Sequence, residues 1–344
     1  MMTSKRPFLS INRCNTGEQV WDPKAMSDPI FPGVPRIESP IFASDPLSDL
    51  SEAERVVARD LNRQGFAVID FPDPDLEGRI ERLKANLGPR FAIPFDDPIA
   101  DKTKGERRIQ DAWQFDEDVR AIASNSEIVE LLSKLYGRPA FPFQTLNFPV
   151  GTQQAVHSDS IHFSSIPERF MCGVWLAMED VTADAGPLFY VKESHRWPIV
   201  TNAMIGRRGY GSELKSAQDP FAIAWQAMCD TKEAKQEIFL ARKGQALIWT
   251  ANLLHGGSKQ ANCTLTRWSQ VTHYYFQDCI YYTPAFSDEA LGQLALRELV
   301  NITDGKPREN SYQGEPVGNS TRPTKQHFWR RKIRDWLALA RPTS

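Results

Sequence analysis

Histidine and cysteine are scarce in this 344-residue chain, and each scarcity narrows its chemistry. The five cysteines, Cys14, Cys172, Cys229, Cys263 and Cys279, are scattered, odd in number and never spaced as Cys-x-x-Cys. That pattern argues against a disulfide framework and a cysteine-built structural zinc site, and for a reducing compartment. Long apolar runs are missing too. No stretch reaches membrane-spanning length, and the N-terminus lacks the apolar core of a signal peptide. The expectation is a cytoplasmic chain without a transmembrane segment. An excess of one charge is also absent: 41 Lys and Arg nearly balance 43 Asp and Glu, so a net charge of −2 gives no pull toward nucleic acid or a membrane surface. What remains is a chain long enough for a large core, read as one barrel-type domain with added arms and helices.

Against this background the six histidines carry most of the information. His157-Ser158-Asp159 is followed, about a hundred residues on, by His255 and then by Arg267. A short His-x-Asp and a distant His have the spacing of a two-histidine, one-carboxylate facial triad. Such a triad holds Fe(II) on one face and leaves the opposite face open. The arginine adds a guanidinium that can grip a carboxylate with two parallel hydrogen bonds, as the far end of 2-oxoglutarate would require. His-x-Asp alone is a weak signal and the ordered set of four is a strong one. The bland alternatives are a surface His-x-Asp pair and, for Arg267, a permanent Asp or Glu partner. His162 competes with His157 but has no Asp two residues after it. His195 and His273 read as structural, and His327, in a basic tail, reads as solvated surface.

The organisation along the chain supports a β-rich domain. Residues 1–50 carry seven prolines and no periodicity, which predicts an extended arm. Ser51-Glu52-Ala53-Glu54 is a capping box opening an amphipathic helix that stops near Gly65, and Phe66–Phe71 is a short strand. Further helices fit Leu76–Leu87 and Glu127–Tyr136. Five strands then follow: Phe143–Val150, Phe170–Ala177, Leu188–Val191, Ala246–Trp249 and Leu265–Phe276. Strands without alternating helices predict an antiparallel sandwich or barrel, with a site at its mouth. If Arg267 points inward, so do Leu265, Ser269 and Val271, while Thr264, Thr266 and Trp268 face away. Residues 51–285 form the expected catalytic domain, with 201–237 as a candidate lid containing a helix opened by Asp219-Pro220. Residues 286–344 form an expected helical extension. Its basic amphipathic run His327–Leu339 is a candidate contact surface for the barrel, a second subunit or an anionic partner.

Several of these segments resemble a known family. Val156-His157-Ser158-Asp159, Val174–Val181, Ala185-Gly186-Pro187-Leu188, Ser194-His195-Arg196-Trp197, Lys243–Trp249, Leu254-His255-Gly256-Gly257 and Arg267, in that order, are similar to the phytanoyl-CoA dioxygenase family of iron(II)/2-oxoglutarate oxygenases. The resemblance covers roughly residues 50 to 285. It implies a mainly β fold with flanking helices around a double-stranded β-helix (jelly-roll, cupin-like) core. It also implies Fe(II) ligands His157, Asp159 and His255, with 2-oxoglutarate and O2 as cosubstrates. Arg267 becomes the 2-oxoglutarate anchor, Gln144 a cosubstrate contact and Phe163 a pocket wall. No catalytic residue is expected beyond the metal ligands. Where the family has Pro-Gly-Ser-His, this chain has Lys192-Glu193-Ser194-His195.

The expected activity is hydroxylation of a small-molecule or carrier-linked metabolite, with 2-oxoglutarate converted to succinate and CO2. Asp159 itself favours oxygenation, because related halogenases carry a small residue there and leave room for chloride. Two alternatives stand beside it. One is a non-catalytic jelly-roll binding module, which has no use for an open metal face. The other is a zinc or manganese hydrolase, for which no general base stands out and Arg267 has no purpose. Substrate identity and oligomeric state are not written in the sequence.

Overall fold

The protein is described here by a computed structural model that places residues 30–209 and 218–317. Helix α1 (Glu52–Gln64) begins with the expected capping box: Glu54 N donates to Ser51 Oγ and Ser51 N donates to the Glu54 carboxylate. It ends at Gly65, whose φ of 87° is a left-handed conformation that glycine adopts without strain. Strand β1 (Phe66–Asp70) follows directly. Helices α2 (Leu76–Leu87), α3 (Glu117–Ala123) and α4 (Ser126–Tyr136) come next, with the two-residue strand β2 (Ile109–Gln110) between α2 and α3.

The core is a jelly roll of antiparallel strands. In the larger sheet β1, β8 (Gln245–Thr250), β5 (Met171–Ala177), β10 (Ser269–Phe276), β3 (Ala140–Phe148) and β2 lie side by side in that order. The smaller sheet orders β7 (Gln236–Phe239), β6 (Leu188–Val191) and β9 (His255–Gly257), and β4 (Ser164–Ile166) pairs with β11 (Ile280–Tyr282). Alternation along each strand decides which side of the large sheet a residue serves. Val174, Leu176, Ala246, Ile248 and Tyr274 join the helices α1–α4 in one apolar cluster. Trp175, Ala177, Leu247, Trp249 and Val271 face the other way and meet Tyr190 and Phe239 of the small sheet. The helices therefore cover one face of the large sheet, and the functional interior lies between the two sheets.

Several boundaries differ from the sequence expectations for identifiable reasons. The strand expected from Leu265 begins at Ser269, because Cys263 and Thr264 form a turn that Leu265 N closes on Asn262 O at 3.3 Å. The helix α3, the short strands β4, β9 and β11 and the solvent-edge strand β7 have too few residues for a periodic signal. Within the arm, residues 30–50 form two 3-10 turns, Arg36–Glu38 and Phe42–Ser44, and bury Ile37, Phe42, Leu47 and Leu50. The segment 286–317 contains no α-helix and only one complete 3-10 turn, Glu289–Leu291. It makes two-residue ladders, Leu299–Val300 with Pro307–Arg308 and Ser311–Tyr312 with Glu315–Pro316, with Gly292, Gly305 and Gly314 all at positive φ. Prolines and left-handed glycines at that spacing cannot continue an α-helix. The helix α5 (Asp219–Thr231) does open with Asp219-Pro220. The basic run 327–339, residues 1–29 and residues 210–217 of the lid candidate lie outside the described residues.

Candidate metal centre and anion pocket

The loop 151–158 and the turn 251–254 bring the two distant histidines together through their main chains. His157 N donates to His255 O and His255 N donates to His157 O, both at 2.9 Å. Each ring is then oriented by its own loop. His157 Nδ1 donates to Ala155 O and His255 Nδ1 donates to Leu253 O, again both at 2.9 Å. A carbonyl can only accept, so Nδ1 carries a proton in each ring and Nε2 is the nitrogen turned toward Asp159. Asp159 Oδ1 lies 3.9 Å from His157 Nε2, and Oδ2 lies 3.8 Å from His255 Nε2. One donor atom from each of the three residues falls within 4.8 Å of the others.

The electrostatics suit a cation. Burial and the adjacent His255 push His157 down to about 3, so its ring is neutral at physiological pH and its lone pair is available. Burial opposes the charge of Asp159, but His255, His273 and His157 more than offset it and hold the carboxyl well below its ordinary value. Trp249 Nε1 donates to Asp159 Oδ2 at 2.8 Å, which orients the carboxylate. Two imidazole nitrogens and one hard anionic oxygen form a donor set that fits a divalent first-row metal with part of its coordination open.

The triad opens into a cavity of about 180 Å3 whose walls include Gln144, Phe163, Trp175, Trp249, Arg267, Val271 and His273. Arg267 is the unusual member. It is 1% exposed, and among the described residues its guanidinium makes one protein hydrogen bond, from Nη1 to Gly186 O at 3.1 Å. Among the described residues Nε and Nη2 are buried without a protein acceptor, as is the indole Nε1 of Trp175, over whose ring the guanidinium sits at 5.6 Å. Burial pulls Arg267 down to about 10, opposed only by the charge of Glu179. Glu179 itself is occupied by Trp268 N and Lys84. The permanent carboxylate partner that would explain Arg267 blandly is therefore not hydrogen-bonded to it. Three unmet donors in one apolar recess form a cradle for a carboxylate.

Gln144 is hydrogen-bonded to His273 Nδ1 at 3.0 Å, and His273 Nε2 lies 3.6 Å from Asp159 Oδ2. Phe163 packs edge-on against Phe143 and beside His273. His162 lines the same cavity but is outside the three-residue cluster. His195 donates from Nε2 to Asn62 O, a structural bond to the end of α1. Sequence reasoning passed over Trp175, Trp249 and His273 as site residues. Extending the Arg267–Val271 alternation by one step reaches His273, whereas Trp175 and Trp249 read only as apolar strand residues. Larger clefts of about 740 and 850 Å3 lie elsewhere on the surface and contain none of the triad.

The sequence profile of the phytanoyl-CoA dioxygenase (PhyH) family matches residues 63–264, more than half of the chain. Comparison with curated proteins gives no match. Among solved structures, the non-heme alpha-ketoglutarate-dependent carbocyclase SnoK of nogalamycin biosynthesis is 18% identical, with a TM-score of 0.51 over 79% of this chain and 95% of that one. The epimerase SnoN, in complex with Fe3+, alpha-ketoglutarate and nogalamycin RO, is 17% identical, with a TM-score of 0.50 over 78% and 96%. EctD from S. alaskensis, with 2-oxoglutarate and 5-hydroxyectoine, is 17% identical, with a TM-score of 0.52 over 74% and 86%. At such identities the likeness is one of fold. No helix among the described residues is long and apolar enough to cross a membrane.

Proposed function

Because this chain belongs to the phytanoyl-CoA dioxygenase family, we propose that it is an Fe(II)/2-oxoglutarate-dependent oxygenase that hydroxylates an unactivated C–H bond of a small or carrier-linked metabolite. In this reading residues 51–285 are the oxygenase domain, and His157, Asp159 and His255 hold the iron. Arg267 takes the distal carboxylate of 2-oxoglutarate, Gln144 lies beside the cosubstrate through His273, and Phe163 walls the pocket. The observation that carries it is Arg267, buried with two unmet donor nitrogens on the same cavity as the triad. A hydrolase has no use for that arginine, and a binding module has none for an open metal face beside it.

When bound, iron and 2-oxoglutarate supply the oxidising power: O2 and the oxo acid are consumed, succinate and CO2 leave, and one oxygen atom enters the substrate. The protein's part is positional. The Nδ1–H bonds of His157 and His255 keep both Nε2 atoms aimed inward, and Trp249 fixes the plane of the Asp159 carboxylate. Arg267 and Trp175 offer a charged and a neutral donor to one carboxylate, which fixes the far end of the oxo acid relative to the triad. Phe163, backed by Phe143, and Val271 narrow the cavity and exclude water from the reacting region.

The test begins with the apo-protein under anaerobic conditions. Fe(II) and 2-oxoglutarate together should give a weak visible charge-transfer band, and His255→Ala should abolish it. An undiminished band in that variant would show that the ligands lie elsewhere. Once a substrate is found, 18O2 should label the product even in high chloride, since the Asp159 carboxylate fills the position a halide would need. A cyclised or epimerised product without label would replace hydroxylation with another outcome of the same site, and a chlorinated product from the unmodified protein would overturn Asp159 as an iron ligand.

A further inference from the structure

The turn between β8 and β9 buries one amide that the chemistry above does not use. Asn252 is 4% exposed and lies three residues before His255. Its Nδ2 donates to His195 O at 3.2 Å and to Trp197 O at 2.8 Å. Its Oδ1 accepts from Ser158 Oγ at 3.2 Å and from Ser160 Oγ at 3.5 Å. A carboxamide has two N–H donors and two acceptor lone pairs, so its whole capacity is spent on two separate loops. Ser158 is the residue between His157 and Asp159. The neighbouring Ala251 O adds to the same join by accepting from Ser160 N at 3.1 Å, and it shares the single Ser158 Oγ proton with Asn252 Oδ1, each oxygen lying 3.2 Å from Oγ.

The far side of the amide is anchored as well. His195 O also accepts from Arg169 Nη1 at 2.7 Å, and the His195 ring donates to Asn62 O at 3.0 Å. That ring packs so closely on Gly65 that a Cβ there would come within 2.6 Å of Nδ1. The carbonyls that Asn252 holds therefore belong to a wall fixed against the end of α1. An amide needed only to complete its own turn would bond within that turn; this one reaches the serines of the His157–Asp159 segment instead.

Resting on the metal-site reading above, we infer that Asn252 is a positioning residue that clamps the His157–Asp159 loop to the turn delivering His255. It sets the geometry and affinity of the metal site without touching the metal. Partners of this kind, one layer behind the ligands, change metal affinity by roughly 10- to 100-fold when removed.

The test uses the full-length apo-protein and Co(II) as a spectroscopic probe, with four proteins compared: wild type, Asn252→Leu, Ser158→Ala and Leu132→Ala. Leu132 is fully buried among the helices on the other face of the large sheet, so its truncation reports general loosening. Asn252→Leu and Ser158→Ala should bind Co(II) on the order of tenfold to a hundredfold more weakly and show altered visible absorption. Leu132→Ala should keep the wild-type dissociation constant and spectrum despite a lower melting temperature. If Asn252→Leu does not fold, Ser158→Ala carries the test: it leaves Asn252 Nδ2 on His195 O and Trp197 O and removes the ligand-side hydroxyl, together with that hydroxyl's bonds to Ala251 O and Ser160 N. Wild-type affinity and spectrum in the clamp variants, or equal weakening in Leu132→Ala, overturns the clamp. A folded wild type that binds no Co(II) overturns the metal site itself, and the clamp with it.

Discussion

A single arginine separates the readings of this site. A buried guanidinium is costly unless an anion meets it, and Glu179, the carboxylate whose charge acts on Arg267, is bound to Trp268 N and Lys84 instead. Arg267→Leu should therefore leave the fold intact and weaken 2-oxoglutarate binding by about 1.5–3 kcal/mol, roughly tenfold to a hundredfold, measured by anaerobic titration. An unchanged dissociation constant would move the anchor elsewhere. At this scale the sequence was legible where residue type and order carry the chemistry. His157, Asp159, His255 and Arg267 could be picked out because few other residues perform their tasks. Trp175 and Trp249 could not. Each is an apolar strand residue whose one polar atom matters only once the sheet has turned it inward.

Among the elements, the packing of β5 against β8 determines where Asp159 points. Gly173 pairs with Trp249 across the two strands, and a Cβ at 173 would overlap the Trp249 indole, whose N–H orients Asp159. Gly173→Ala should destabilise the protein by about 1–3 kcal/mol through overpacking and also weaken metal binding, seen in a thermal melt and a metal titration on the same sample. Retained metal affinity in a destabilised variant would uncouple the strand pair from the site. The long strands and capped helices were readable from periodicity and caps. The small sheet was not, because β9 has three residues and β7 has an exposed edge with little alternation. The bulge at His273/Tyr274, which accommodates Pro142 in a central strand and sets Gln144 opposite His273, leaves no periodic trace either.

Across the whole molecule, charged links tie the helical layer together. The buried Glu54 carboxylate accepts from Ser51 N at 2.7 Å and from Lys134 of α4 at 3.0 Å. Burial opposes its charge, but these partners prevail and hold its pKa below the ordinary value. A depressed carboxylate contributes stability that is fully present above its unfolded value of about 4.3 and is lost as pH falls through the folded value. Glu54→Gln should thus lower the melting temperature at neutral pH by an amount equivalent to ~1 kcal/mol. The gap to wild type should close in acid, and a gap that widened there would reverse the assignment. The jelly-roll architecture was legible from strand order and the family resemblance, while the run 286–317, free of α-helix, was not, since its turns depend on positive-φ glycines rather than on a pattern. The mutual main-chain bonds of His157 and His255 have one further consequence. Bringing together two points about a hundred residues apart costs roughly 4 kcal/mol of chain entropy. Here that cost is shared between the two peptide hydrogen bonds and the pairing of β8 with β5 and of β9 with β6 on either side of them, all of which belong to the fold itself. Metal capture need not organise the chain, and stripping the ion should return a standing, vacant socket rather than a loosened polypeptide.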